Sequence, residues 1–252
     1  MTTTGTPRAP MDATRKAALA AGLFYIATFV FSIPALGLYE GVVNDPNFVL
    51  GAGSDQGVLW GGLIEILTAL TCIGTAVAIY PVLKRYGPGR AVGFVASRTL
   101  EAAMIFTGVL AVLAVYTLRQ DLAGADAAGL TTVASALVAT KEWTFLLGPG
   151  VMAGINALCF ASVLFQRRLV PRWIPTLGLI GAPIILLSCT AVLFGAWEQV
   201  STMGLLTALP IATWELSVGV YMIVKGFRQP TVTHGKATLE LGPDAPTHAV
   251  TR

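Results

Sequence analysis

Six long runs of apolar residues, separated by short polar stretches, dominate the chain. They cover about Lys16 to Leu38, Gly57 to Leu83, Ala91 to Leu118, Trp143 to Phe165, Trp173 to Trp197 and Gly204 to Phe227. At ~1.5 Å of rise per residue, each is long enough as a helix to cross a hydrocarbon core of ~30 Å. The pattern predicts an all-α fold, a polytopic membrane helix bundle of about six transmembrane helices. Between the third and fourth runs, Leu122 to Thr140 is weakly apolar and rich in small residues. It lacks the basic polar face of a membrane-surface helix, so a short helix at the interface and a plain loop-helix both remain open. Residues 1–13 and 229–252 are polar and rich in Thr, Pro and Gly, and are expected to be disordered tails around a single transmembrane domain at 14–228. The first run resembles a cleavable leader ending near Ala35-Leu36-Gly37. It exceeds the usual apolar length of ~7–15 residues, so its retention is expected. There is no convincing internal repeat, which weighs against an inverted-repeat transporter.

Charge fixes an orientation. Only 12% of residues are charged against 55% apolar, too few to coat a water-soluble surface, which carries ~25%. The net charge of +3 comes without any long basic run, so no nucleic-acid partner is expected. Arg8, Arg15 and Lys16 precede the first run; Lys84, Arg85 and Arg90 lie between the second and third; Arg167, Arg168 and Arg172 lie between the fourth and fifth; Lys225 and Arg228 close the sixth. The alternate connections hold Glu40, Asp45, Asp55, Asp121, Asp126, Glu142 and Glu198, with only Arg119 and Lys141 as basic residues. The positive-inside rule then puts both termini in the cytoplasm. Trp60, Trp143, Trp173 and Trp197 fall near the ends of runs, where indole rings suit the headgroup layer, whereas Trp214 falls mid-run.

Cys72, Cys159 and Cys189 each lie in an apolar run without metal-ligand spacing, and His234 and His248 both lie in the C-terminal tail. Neither a metal nor another cofactor is expected. Gly57-x-x-x-Gly61 and Gly150-x-x-x-Gly154 put small residues on one helix face, for packing within the chain or between copies in a homo-oligomer. Pro34, Pro149, Pro183 and Pro210 predict kinks, and Pro149 between Gly148 and Gly150 is the strongest candidate for a broken helix.

Four ionisable residues lie well inside the apolar runs: Glu65, Arg98, Glu101 and Glu215. Each would cost ~2.5–3.5 kcal/mol facing lipid, so they are expected to face one another or a wet cavity. Counted from the cytoplasmic end, Arg98, Glu101 and Glu215 share a layer ~10–18 Å deep, and Glu65 at ~20–27 Å joins it if its helix tilts. Arg98 and Glu101 sit three apart and can pair. Glu65 and Glu215 would then lack a basic partner, and at least one is expected to hold a proton at neutral pH. Ser97, Thr99, Asn156 and Ser217 are candidates for hydrogen bonds to this network, and Trp214 for lining it or facing lipid.

The segments RTLEAA from Arg98, RRLVPRWIPTLGLIGA from Arg167 and the late Trp214-Glu215-Leu216 resemble, in order and spacing, the bacterial membrane family known as domain of unknown function 4386. The resemblance runs from about Lys16 to Gly226. It implies a multi-pass protein of the bacterial plasma membrane and places Arg98, Glu101, Pro171, Arg172 and Glu215 in the family pattern, with no activity attached. Three functions fit the residues. One is a small transporter or ligand-binding membrane protein, its partner a small molecule or a proton held by the carboxylate and arginine cluster. Another is a structural or accessory protein whose buried charges fix helix packing. The last is an intramembrane acid–base enzyme acting on a lipid-like substrate. The third lacks a nucleophile dyad, a phosphate loop and a metal motif, so an enzyme is the least favoured.

Overall fold

The computed structural model describes residues 11–51, 55–121 and 126–228, so most of both tails and part of the stretch after Asp121 lie outside the described residues. Among those described there is no strand. The helices are α1 (Ala13–Leu38), α2 (Glu40–Asn44), α3 (Gln56–Leu83), α4 (Pro88–Asp121), α5 (Ala127–Phe145), α6 (Ala153–Arg167), α7 (Trp173–Leu193) and α8 (Thr202–Val224). A 3₁₀ turn spans Phe48–Leu50, and a π-helical segment, Leu146–Met152, joins α5 to α6 without a break. Counting α5 to α6 as one rod, six helices are long and apolar enough to cross a membrane, and the chain is a multi-pass membrane protein.

The six rods close into a ring. α1 packs on α3, α3 on α4, α4 on α6, α6 on α7, α7 on α8, and α8 returns to α1. Large apolar side chains such as Val77, Leu110 and Leu187 point outward, 66%, 68% and 70% exposed, as lipid-facing positions do. Trp60, Trp143 and Trp173 are likewise exposed. Inside the ring Tyr25, Phe94, Phe160 and Trp214 form a buried aromatic core.

The two ends of the ring differ in chemistry. At one end the Arg15 guanidinium donates to the Met222 and Ile223 carbonyls at 2.7 and 2.5 Å, so α1 begins where α8 finishes. The Arg228 N–H reaches the Leu169 carbonyl there, and Arg90 bonds Ser162 and Gln166. This is the basic end. At the opposite end α3, α5 and α8 start on side-chain caps: Asp55 accepts from the Val58 N–H, Asp126 from the Gly129 N–H and Ser201 from the Gly204 N–H. Each cap satisfies a backbone donor that the helix itself leaves free.

Two rods are longer than a bilayer needs. α4 has 34 residues and Ala127–Arg167 has 41, or ~50 and ~60 Å against a core of ~30 Å. Their surplus stands beyond the acidic end as a cap. There Val112 and Val115 of α4 and Leu130 and Ala134 of α5 pack on Val42, Phe48 and Val49. Arg119 fastens the cap, donating to the Phe48 carbonyl at 2.8 Å with its guanidinium 4.2 Å from that ring. The segment expected to be a short interfacial helix or a plain loop-helix is therefore, from Ala127 on, the start of the fourth rod. Its modest apolarity is offset by packing against α4.

Pro149 does not break that rod. The π-helical turn widens the backbone where proline cannot donate, and the helix continues. Pro34, Pro183 and Pro210 also lie inside continuous helices. The two glycine pairs are in contact with their own chain. A Cβ at Gly61 would lie 2.6 Å from the Tyr39 ring, one at Gly150 2.7 Å from the Cys189 sulfur, and one at Gly154 2.7 Å from Leu186.

Candidate functional site

Arg98 is the centre of the site. It lies on the inner face of α4 and is 1% exposed, so its guanidinium must be compensated by protein. One turn further along, Glu101 receives one Nη at 3.1 Å, the i to i+3 pair read from the sequence. The other Nη donates to Glu215 of α8 at 2.8 Å. The guanidinium also lies 4.9 Å from the Tyr25 ring of α1 and 5.9 Å from Phe94, and reaches the Cys72 sulfur of α3 at 3.7 Å. The Asn156 amide on α6 donates to Glu101 at 2.8 Å. Five helices thus converge on one cation.

Close helix approach sets this geometry. A Cβ at Gly178 of α7 would sit 2.7 Å from the Trp214 ring, and one at Gly22 of α1 would sit 2.7 Å from the Gly219 carbonyl. Small residues on both sides therefore let α8 sink between α1 and α7. That brings Trp214 to complete burial, edge-on to Phe160 with ring centres 5.9 Å apart, and turns the neighbouring Glu215 toward Arg98. On the far side, a Cβ at Gly148 in the π turn would lie 2.8 Å from Met104, so this rod also presses against α4, and Asn156 two turns later meets Glu101.

The cluster combines one guanidinium with two carboxylates. With both carboxylates ionised it holds one excess negative charge in a low-dielectric interior, and a single proton or cation removes the excess. Three further polar atoms, Arg98 Nε and Asn156 Oδ1 in the cluster and Trp214 Nε1 on the residue next to Glu215, are buried with no hydrogen-bond partner among the described residues. Such groups are costly unless something else binds them.

The site corrects two sequence expectations. Glu215 is not short of a basic partner, because Arg98 divides its donors between Glu101 and Glu215. Glu65 does not join the layer. It is held by Lys141 of α5 at 2.5 and 2.6 Å in a second buried pair, with Lys141 Nζ 5.0 Å from the Tyr39 ring. Each acid thus has a basic partner, Arg98 shared by Glu101 and Glu215 and Lys141 serving Glu65, and the anticipated pair of unpartnered acids is absent among the described residues. Of the other residues expected nearby, Ser97 bonds back to the Phe94 carbonyl and Thr99 is exposed. Sequence reasoning missed Lys141, Tyr25 and Cys72. The signal for Lys141 was available: apart from Arg119, it was the one basic residue on the acidic side.

Among the described residues no group of three His, Cys, Asp or Glu side chains could hold a metal ion. Both histidines lie outside the described residues. The three cysteines are free thiols.

A family model described as "Domain of unknown function (DUF4386)" matches residues 20–226. That span contains every residue of both ionic clusters. Neither curated proteins nor solved structures gave a match to the chain.

Proposed function

Since the chain belongs to the DUF4386 family, whose description assigns no activity, its role has to be drawn from the site, and we propose that the Arg98, Glu101 and Glu215 cluster binds and releases a proton in a small transporter or ligand-binding membrane protein. The observation that carries this is the uneven charge: one guanidinium against two carboxylates supplied by different rods, α4 and α8. A shift of α8 relative to α4 would change what Glu215 touches, so protonation and helix packing are coupled. Glu215 is the more accessible acid of the cluster, its side chain 15% exposed while those of Arg98 and Glu101 are 2% and 6%. We also propose that the basic end is cytoplasmic, with both termini there and the cap outside, as the clustering of Arg and Lys supports, and that the membrane is a bacterial plasma membrane.

Proton binding tests this. Purified protein in weakly buffered detergent, titrated through the physiological range, should take up one proton per chain. The step should vanish in Glu215→Gln while helicity is kept. A titration without that step, or one unchanged in the variant, would refute the reading.

A second reading has its own support, the near-complete enclosure of Arg98 and Glu101: the cluster serves as a clamp that fixes helix packing. In that case Glu215→Gln alters stability, and reconstituted wild-type protein shows no pH-dependent binding or flux.

A further inference from the structure

The cap contains a cleft that neither ionic cluster uses. Its volume is about 140 Å³, and it lies between the segment Val42–Val49 and the α4 and α5 rods. A dry cavity of ~150 Å³ accepts one benzene, so this cleft has room for a single ring or a short branched alkyl group. Its lining is mixed: Val42, Phe48, Val49 and Val115 supply an apolar side. Two carboxylates also line it, Asp45 from the α2 side and Glu142 from α5. Both residues are exposed, and neither forms an ion pair among the described residues. Asp45 has one local task, accepting from the Asn47 N–H at 2.9 Å, which occupies a single oxygen. Behind the Phe48 wall, Arg119 of α4 lies over the Phe48 ring and donates to its carbonyl.

We propose that this cleft binds a small organic cation, a primary ammonium carried on one ring or a short alkyl chain. The apolar part fills the space between the valines and Phe48, and the ammonium sits between Asp45 and Glu142. Apolar burial supplies the attraction and the two carboxylates supply the sign of charge, so an isosteric neutral or anionic molecule is disfavoured. The walls come from segments distant in sequence, the stretch Val42–Val49, Val115 of α4 and Ala134 to Glu142 of α5. Occupancy would therefore tie the cap together. This inference is independent of the proton proposal, since it uses none of the Arg98 cluster.

The test compares three probes of one shape, benzylammonium, benzyl alcohol and benzoate, by calorimetric titration of the full chain in lipid nanodiscs, with empty nanodiscs subtracted. Benzylammonium is expected to bind at least ~10-fold tighter than benzyl alcohol, on the usual scale of a charge-assisted contact, with no binding of benzoate. The variant Asp45→Asn with Glu142→Gln keeps the local turn and should abolish the preference for the cation while leaving benzyl alcohol unchanged. Separately, Ala139→Leu, on the α5 wall, should fill the cleft and remove binding of both molecules. Equal affinity for benzylammonium and benzyl alcohol in the unmodified chain would overturn the proposal. So would benzylammonium binding that survives either set of substitutions.

Discussion

Replacing Arg98 by methionine gives the most direct test of how the interior is held. Arg98→Met keeps much of the aliphatic stem and removes the only cation of the cluster, leaving Glu101, 5% exposed, and Glu215 facing each other across the space it filled. Removing one member of a buried ion pair costs ~3–5 kcal/mol, chiefly because the remaining charge is stranded. Loss of the contacts with Tyr25 and Phe94 adds up to ~2 kcal/mol, part of which methionine regains by packing on the same rings. For a domain of this size, ~3–5 kcal/mol is a fall of ~6–20 °C in Tm, at ~2–4 °C per kcal/mol. The assay is thermal unfolding in a mild detergent followed by circular dichroism. The triple variant Arg98→Met, Glu101→Gln, Glu215→Gln removes the stranded charges and keeps amides for Asn156 to meet, so it should regain at least half of the loss. A single variant within ~1 kcal/mol of the parent would refute the reasoning, since substitutions lacking a strong mechanism have effects of that size. A triple variant no more stable than the single one would do the same.

Four further substitutions, at three places, probe the rest of the frame. Glu65→Gln and Lys141→Met should each cost ~3–5 kcal/mol, while the double variant costs less than their sum, giving a coupling of ~1 kcal/mol or more in a thermal double-mutant cycle; additivity would mean the pair is not the operative contact. Gly178→Ala puts a methyl 2.7 Å from the Trp214 ring and should destabilise by ~1–3 kcal/mol. It should also weaken the proton step proposed for the Arg98 cluster, read in the same titration, because α8 is pushed away from α7. Ser201→Ala removes the cap of α8 and should lower stability by ~1 kcal/mol in thermal unfolding with no change in that titration.

The spans were legible because an apolar run of more than ~20 residues has few alternatives to crossing a bilayer. The pair Arg98 and Glu101 was legible because helical spacing alone makes them neighbours, and the depth of Glu215 followed from counting along α8. The partner of Glu65 was not, because it depends on where Lys141 sits. Locally Lys141 looks like a loop residue next to a weakly apolar stretch. Only the packing of that stretch on α4 and the Tyr39 segment turns it into the head of a long helix with Lys141 pointing inward. The division of Arg98 between two acids was hidden for a related reason: Glu215 approaches through glycines on α7 and α1 whose meeting is a property of three helices at once. Pro149 reads as a break by its chemistry, and only the surrounding helices show that a wider turn absorbs it.

The spacing of Arg98 and Glu101 also bears on how the chain is built. Synthesis runs from the N-terminus, so α4 enters the membrane before α6, which brings Asn156, and well before α8, which brings Glu215. During that interval the arginine already has an acid one turn away on its own helix, and the span goes in as a locally neutral segment. Glu215 then arrives as a late carboxylate that finds a prepared donor. Moving the acid from position 101 to another helix would leave the final charge count intact yet strand Arg98 in lipid while the partner was still being made. Such a variant is expected to show poorer insertion, read by glycosylation mapping of the nascent chain, even where its finished fold is equally well paired.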